Sequence, residues 1–464
     1  MAQQFRTAQS RRDFLKRSSA LAALGITTSL TPDLAFGQAK TDLSGVEIDY
    51  WNMIGVQNKI VRQISEDIVA AFQQKTGCKE NVTWNGYGDI IGPKYRTNFT
   101  GGIQPTVMDT SSRWVNQLRE FLYPLNDYVN NDWDAASRDG VAWMVPLNEE
   151  ENRGFPDKDQ LYGLAFNIVM QAPYLVRRDH FEQAGIDFDS NYPIRDTDHF
   201  IELCKEIQAK AGVPYPTEVY GKIWDFGDTQ LNGWIRSLSI EDSDFLNADW
   251  TKSNARSEAW RQGCQFYVDV FREHQLSSPN SPQSTDEETV DQFILGRKSI
   301  VHCDILNRGT LLDRIPEEVA DGTVMWGPHF PMTGGTSGSQ CFIGPNSFYI
   351  VRQEGPDAEI KQQAAWAFIK EWFLPENMIA VGKSSGLPSR RDLWDQLKGE
   401  PDRWAEASIA TIGDNPGMWT GHARSVDFQY NLLAPHGQKM LQGASVEEEL
   451  NAYADEVDKS LQPG

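Results

Sequence analysis

The stretch VEIDYWNMIGVQNKIVRQISEDIVAAFQQKTG, residues 46–77, contains the pattern that decides the fold. Its first six residues alternate apolar and polar side chains, which is typical of a β-strand. Apolar residues then recur at helical spacing, at Ile60, Ile64, Ile68 and Phe72. Gly77 follows the last of these turns and is suited to end the helix in the left-handed conformation. A strand followed directly by an amphipathic helix predicts the first unit of a layered α/β fold.

The same alternation continues along the chain. Residues 81–87 and 106–108 predict the next two strands, and residues 113–122 predict a helix with three apolar residues on one face. Further strands are predicted at 174–177, 300–303, 325–331 and 348–351, and further helices at 179–184, 197–211, 257–273, 360–373 and from Ser445 onward. The last helix begins with a capping box formed by Ser445 and Glu448. Strands that alternate with helices favour the α/β class.

Composition and charge exclude several classes of function. At roughly 150 residues a domain, 464 residues correspond to about two to three domains. The chain has 65 acidic and 43 basic residues and a formal net charge of -22, so nucleic acid and anionic lipid surfaces are unfavourable partners. Its 5 cysteines are odd in number, scattered and without C-x-x-C spacing, which predicts free, buried thiols.

The N-terminal segment has the features of an export signal. Arg11 and Arg12 precede an apolar run, residues 18–30, that is too short and too polar to span a bilayer. Small residues at Ala35 and Gly37 predict cleavage before Gln38, and the alternative is cleavage after Ala39. The pattern resembles a twin-arginine signal, so we expect residues 1–37 to be removed and the folded protein to reach the periplasm.

The sequence lacks the common catalytic and cofactor motifs. Its 7 histidines show no zinc-binding spacing, and there is no complete phosphate loop, dinucleotide fingerprint or nucleophile elbow. We therefore assign no catalytic residue, no cofactor and no metal, and we expect a protein that is not an enzyme.

Seven segments, in this order, resemble the extracellular solute-binding proteins of ABC importers, in the sugar-binding group that includes the maltose-binding protein. They are residues 100–109 (TGGIQPTVMD), 122–129 (LYPLNDYV), 161–166 (LYGLAF), 174–186, 293–300, 386–391 (GLPSRR) and 442–448. Together they extend over nearly all of the mature chain. The sequence departs from the family at one point, where Asn167 is the polar residue nearest to a position that is often acidic.

This resemblance implies an α/β fold with two lobes, each a sheet flanked by helices, joined by a hinge with multiple chain crossings. Lobe one is then residues 43–164 and 326–375, and lobe two is residues 165–325 and 376–464. It also implies a monomer whose small-molecule ligand is a saccharide held in the cleft between the lobes. The bound molecule is delivered to an ABC permease in the inner membrane, and the receptor itself has no membrane anchor.

Candidate ligand residues follow from the chemistry of sugars, which present an apolar face and a rim of hydroxyl groups. Aromatic walls suit the face, and placed polar side chains suit the hydroxyls. The aromatic candidates lie in predicted loops or at strand ends: Trp51, Trp224, Trp326 and Trp419. The polar candidates lie near predicted strand ends: Asn52, Asp109, Ser111, Ser112, Arg113, Asn167, Asp225, Asp304 and Asn307. Helix caps, turns and core packing are the alternative roles for these residues.

Two other functions stay open at this point. The first is a receptor of the same class for a polyamine or other cationic ligand, which the acidic composition favours slightly. The second is a secreted carbohydrate-active enzyme, which would need two carboxylates facing each other across a cleft.

The paired arginines generate a prediction about export. Changing Arg11 and Arg12 to lysine should leave uncleaved precursor in the cytoplasm, because the twin-arginine route requires that pair. Immunoblots of periplasmic and cytoplasmic fractions measure the result. A normal periplasmic yield of the double variant would contradict it.

Overall fold

The computed structural model describes residues 42–86, 93–170, 172–222, 226, 229–336, 341–414 and 416–462. The strands are β1 (Glu47–Asn52), β2 (Lys79–Trp84), β3 (Val107–Ser111), β4 (Gly163–Val169), β5 (Tyr174–Arg177), β6 (Ile300–His302), β7 (Val324–Gly327), β8 (Phe342–Ile350), β9 (Leu387–Pro388) and β10 (Gly417–Met418).

Helices of very different length connect these strands. The α-helices are α1 (Lys59–Thr76), α2 (Pro93–Thr100), α3 (Ser112–Val115), α4 (Asn126–Asn131), α5 (Ala135–Val141), α6 (Met144–Glu151), α7 (Arg178–Ala184), α8 (Phe188–Asn191), α9 (Thr197–Lys210), α10 (Thr229–Leu238), α11 (Glu258–Arg272), α12 (Asp286–Ile294), α13 (Arg308–Arg314), α14 (Pro316–Ala320), α15 (Ala358–Trp372), α16 (Pro375–Ser385), α17 (Trp404–Ile412), α18 (Ala434–Gln442) and α19 (Val446–Ser460). Short 3₁₀ segments are Ile54–Val56, Asn116–Phe121, Ser281–Gln283, Ile305–Asn307 and Arg391–Leu397, and Asp427–Leu433 is a π-helix.

The strands form two sheets. The larger has the order β2-β1-β3-β8-β4-β9, with β10 paired to β8, and the smaller has the order β6-β5-β7. β1 is parallel to β2 and β3, as the first strand and helix predict. β8 then joins antiparallel to both β3 and β4, and the small sheet is antiparallel throughout. Mixed pairing of this kind depends on which distant segments meet, and local periodicity does not contain that information.

Most predicted elements are confirmed with small shifts of their ends. Asn58 caps α1 by accepting a hydrogen bond from the Val61 amide, and Gly77 ends it with φ of 74°. The helix expected at 113–122 is instead a single α-turn followed by a 3₁₀ segment. In a 3₁₀ segment residues three apart eclipse each other, and here Arg119 donates to the Asn116 side chain over 3.3 Å.

Ser445 accepts a hydrogen bond from the Glu448 amide, as the predicted capping box requires. A complete capping box, with both hydrogen bonds, lies at Thr285 and Glu288, where the sequence analysis predicted none.

The hydrophobic core is divided among several clusters. One lies on the large sheet, where Tyr50 and Phe348 pack against Phe72, Phe368 and Trp372. Another is built mainly from helices of the second half of the chain, and it includes Trp260, Tyr267, Trp419 and Tyr453. A third joins β4, β8 and the small sheet and includes Ile168, Val301, Trp326 and Ile343.

β8 contributes to all three of these clusters. Its residue Phe342 lies in the helical cluster, Ile343 in the cluster shared with the small sheet, and Phe348 in the cluster on the large sheet. The lobe boundaries stay a prediction. β7, which contains the predicted boundary at residue 326, pairs along its whole length with β5 in the small sheet.

The 5 cysteines are all free and buried, as the sequence predicts. Burial raises the pKa of the Cys264 thiol to about 12 and that of Cys341 also to about 12. These thiols are therefore inert fillers of the core. Among the residues that the model describes, no helix is both long and apolar enough to cross a bilayer.

Two histidines are buried together at one end of the small sheet. His302 ends β6, and His329 follows β7, with 5.8 Å between their ring centroids. Trp234 packs against both rings. Burial lowers the pKa of His329 to about 4, and burial together with the charge of its neighbour lowers that of His302 well below its ordinary range. Both rings are therefore neutral in the folded protein near pH 7.

This arrangement predicts that acid destabilises the fold through His329. The unfolded chain binds the proton below pH 6.5 and the folded chain only near pH 4, so stability falls as the pH drops between these values. His329→Gln removes the titration. Between roughly pH 7.5 and 4.5, the free energy of unfolding of the wild type should fall by about 2–3 kcal/mol relative to that of this variant. Urea unfolding at each pH measures the difference. A difference between the two proteins that is independent of pH would contradict the prediction.

Candidate functional site

A buried polar network lies where the carboxyl ends of β1 and β3 meet. The Asp109 carboxylate accepts hydrogen bonds from the Tyr50 hydroxyl over 2.7 Å and from the Ile54 amide over 2.8 Å. Asn52 donates to the same hydroxyl over 2.6 Å and accepts from the Gly55 amide over 2.7 Å. Burial raises the pKa of Asp109 to about 6, although these hydrogen bonds oppose the shift. The network fixes the loop that follows β1 at the carboxyl end of that strand.

Trp51 lies next to this network and packs against other aromatic side chains. Its ring centroid is 4.9 Å from that of Tyr95 and 5.9 Å from that of Phe99. The residue is 9 % exposed, so one edge reaches the surface while the rest stabilises the cluster. The predicted role of Trp51 as a ligand wall stays a prediction.

Three polar residues form a row across the central strands at the carboxyl end of β3. Ser111 is the register partner of Asn346 on β8, and Asn346 is the register partner of Asn167 on β4. Residues paired in register point to the same face of a sheet. Asn167 donates through Nδ2 to the Ser385 carbonyl over 3.0 Å. The row brings two of the predicted site residues together, and Asn346, which the sequence analysis missed, lies between them.

A cavity of about 150 Å³ lies at the start of α3, directly after β3. Its lining combines aromatic rings with hydroxyl, amide and charged groups, among them Ser112, Asn116, Arg119, Asn148, Glu151, Tyr162, Ser347 and Tyr349. Ser112 donates from Oγ to the Glu151 carboxylate over 2.8 Å. The Arg119 guanidinium lies 4.4 Å from the Tyr162 ring centroid and pairs with Asp157, which also accepts from the Tyr162 hydroxyl. Charge pairing and stacking thus hold one wall of the cavity rigid.

A second polar group lies where β6 ends. Asp304 caps the 3₁₀ segment that follows by accepting from the Leu306 amide over 2.9 Å. Asn307 donates to the Asp286 carboxylate over 2.8 Å. Burial, with the charge of Glu287 adding to it, raises the pKa of Asp286 to about 7. Asp304 and Asn307 were predicted for the site, and their partner Asp286 was not.

The residues that follow β1 and those that follow β6 lie opposite each other in the structure. Asn58, at the start of α1, donates to the Ser384 carbonyl over 3.3 Å and lies 3.5 Å from the Leu306 carbonyl. Lys59 pairs with Asp313 of α13 over 3.0 Å. Gly309 permits this approach, because a Cβ there would lie 2.3 Å from the Asn58 amide nitrogen. The start of α1 and the segment that follows β6 are therefore in direct contact.

The remaining aromatic candidates are deeply buried or outside the described residues. Trp326 is 0 % exposed within β7, and Trp419 is 2 % exposed. Trp419 is stacked between Phe245 and Phe342, with ring centroids 4.6 Å and 4.5 Å away. Their predicted contact with a ligand stays a prediction. Trp224, Asp225 and the side chain of Arg113 lie outside what the structure describes.

The described part of the chain contains no group of three or more His, Cys, Asp or Glu side chains that could hold a metal ion. The residues of the candidate site that the sequence did not predict are Asn346, Asp286, Glu151 and Tyr162. A signal existed for Asn346, since residues 342–350 (FIGPNSFYI) place polar residues inside an otherwise apolar strand. The others come from helices and loops whose proximity depends on the fold.

Comparisons with solved structures show the same fold. A solute-binding protein of Thermotoga lettingae bound with α-D-tagatose has a TM-score of 0.70 and 16% identity over 90% of this chain and 100% of that one. A maltose-bound protein of Thermotoga maritima has a TM-score of 0.70 and 17% sequence identity, and the match covers 90% of this chain and 100% of that one. A solute-binding protein of Agrobacterium radiobacter in complex with ribitol has a TM-score of 0.66 and 16% sequence identity, and the match covers 90% of this chain and 100% of that one. The architecture is therefore that of two-lobe periplasmic binding proteins.

Sequence comparison gives the family directly. No curated protein matches the chain. The family model for bacterial extracellular solute-binding proteins matches residues 67–407, which is more than half of the sequence. The chain belongs to the bacterial extracellular solute-binding protein family.

Proposed function

We propose that this protein is the receptor of an ABC importer and that it binds a sugar, an oligosaccharide or a related polyol. The ligand is held on the large sheet at the carboxyl end of β3 and is passed to a permease in the inner membrane. The observation that carries the proposal is the cavity after β3, which joins tyrosine rings to hydroxyl and amide groups.

The chemistry of that cavity suits a neutral, hydroxylated molecule. Tyr162 and Tyr349 offer ring surface for the C–H face of a sugar. Ser112, Asn116 and Ser347 offer groups that both donate and accept hydrogen bonds. The charged side chains are already engaged, since Glu151 accepts from Ser112 and Arg119 pairs with Asp157. A small number of placed polar groups beside apolar walls is the usual composition of a small-molecule site.

The cavity volume of about 150 Å³ is below the ~300–1,000 Å³ that is usual for ligand pockets. Solved proteins of the same fold are bound with α-D-tagatose, maltose and ribitol. A compound of monosaccharide or polyol size suits the cavity alone. A longer saccharide needs the space between the two lobes to widen, which the hinge between the lobes provides.

The crossing strands support hinge closure as the mechanism. β4 and β8 are antiparallel neighbours whose residues pack into clusters on both sides of the molecule. Strands that connect two bodies restrict their motion to bending about the connection. We assign lobe one to residues 43–164 and 326–375 and lobe two to 165–325 and 376–464. Closure then brings polar groups from both lobes onto one ligand.

Export and assembly complete the proposal. Residues 1–37 direct the folded chain through the twin-arginine route to the periplasm, where it acts as a monomer. The receptor binds and releases its ligand without converting it. Recovery of an unchanged sugar from the purified complex, detected by mass spectrometry, tests this last point.

The ligand class is tested by thermal shift. Mature protein, residues 38–464, is melted alone and with maltose, D-tagatose, ribitol, ATP or putrescine. At a hundredfold excess over Kd, binding stabilises the folded state by about 2.7 kcal/mol. This should raise Tm by several degrees with at least one of the first three compounds. ATP and putrescine should have no effect.

A matched pair of variants locates the binding site. Tyr162→Ala removes a ring from the cavity wall and should weaken the affinity for the bound compound by about tenfold or more, because it removes a stacking surface. Tyr123→Ala removes a similarly half-buried ring that packs on Tyr128 away from the cavity, and it should leave the affinity unchanged. A response to putrescine alone, or equal affinities in the two variants, would contradict the proposed function or its site.

A further inference from the structure

We propose that Asn346, together with Asn167, binds a hydroxyl group of the ligand and thereby selects neutral, hydroxylated compounds. The inference rests on the proposed function and adds to it a specificity-determining residue and the chemistry that this residue recognises. Neither the sequence analysis nor the comparisons assign a role to Asn346.

The first observation is that both amides are buried and incompletely paired. Asn346 is 2 % exposed and Asn167 is 1 % exposed. Asn346 Nδ2 and Asn167 Oδ1 have no hydrogen-bond partner in the structure. A buried polar atom without a partner is unfavourable, and native proteins keep few of them. Such an atom is available to a polar group of a ligand.

The second observation is that the two unpartnered atoms belong to neighbouring residues. Asn346 and Asn167 are register partners on β8 and β4, so their side chains leave the sheet on the same face. The register of β4 against β8 shifts between Ala165 and Asn167, directly before this pair. Ser111 continues the row on β3. One small group placed above the row reaches both amides.

A comparison within the same chain shows that burial does not by itself leave an asparagine unpaired. Asn52 is 0 % exposed, and both polar atoms of its amide have a hydrogen-bond partner. Its Nδ2 donates to Tyr50, and its Oδ1 accepts from Gly55. The fold therefore satisfies a buried amide where that amide holds a loop. Asn346 is also buried, but its Nδ2 atom has no hydrogen-bond partner in the folded protein.

The pattern of free atoms defines the chemistry of the ligand group. Asn167 offers an acceptor, and Asn346 offers a donor. A hydroxyl group satisfies both at once, because it donates through O–H and accepts through its lone pairs. An ammonium group donates only and leaves Asn346 unpaired, and a carboxylate accepts only and leaves Asn167 unpaired. The pair therefore favours a sugar or polyol over a polyamine and over an organic acid.

The test separates affinity from stability. Asn346→Leu and the smaller Asn346→Ala remove the unpaired amide. Both should leave the Tm of the unliganded protein nearly unchanged or higher, because the Nδ2 atom that they remove has no hydrogen-bond partner in the folded state. Both should weaken binding of the tightest-bound compound among maltose, D-tagatose and ribitol by about tenfold, measured by calorimetry. Asn52→Leu is the stability control and should lower the Tm of the unliganded protein.

A double variant tests whether the two amides bind one group. If they do, Asn346→Ala combined with Asn167→Ala should weaken binding by less than the product of the two single effects, because the first loss already frees the shared hydroxyl. Wild-type affinity in the Asn346 variants, or a fall in Tm as large as that of Asn52→Leu, would overturn this inference while the proposed function stands. Absence of binding by the wild-type protein to all three compounds would overturn both.

Discussion

The antiparallel pairing of β8 with β3 and β4 is the interaction on which the rest of the structure depends. Without β8, the strands β1 to β3 end at an open edge, and no other strand beyond residue 170 pairs with any of them. The pairing places Asn346 beside Ser111 and Asn167, and it carries Phe342 and Phe348 into cores on different sides. The same strand thus joins the two halves and forms the floor of the proposed site.

Much of the fold could be predicted from local sequence because local physics determines it. The strand at Val46–Trp51, the helix that follows and its end at Gly77 each follow from periodicity and glycine conformation, and the structure confirms them with shifts of one or two residues. The free thiols of the cysteines follow from their odd number and scattered positions. Family membership followed from the order of weak motifs, and the family model confirms it over residues 67–407.

The site was harder to predict because its geometry depends on distant contacts. A tryptophan in a loop looks the same in sequence whether it faces a ligand or, like Trp419, lies stacked between Phe245 and Phe342. Asn52 ends β1, where it was expected, whereas Asp109 lies inside β3, and both side chains hold the backbone of a loop. The proposed ligand contact of Asn346 can be inferred only when the burial of its side chain and its unpaired nitrogen are both known.

The central hypothesis is that a neutral hydroxylated ligand binds on the large sheet at the carboxyl end of β3. A crystal structure of the mature protein, grown with the compound that raises Tm most among maltose, D-tagatose and ribitol, tests it directly. We predict a ligand hydroxyl within hydrogen-bond distance of Asn346 Nδ2 and Asn167 Oδ1. Density for the compound at any other place on the molecule would contradict the claim.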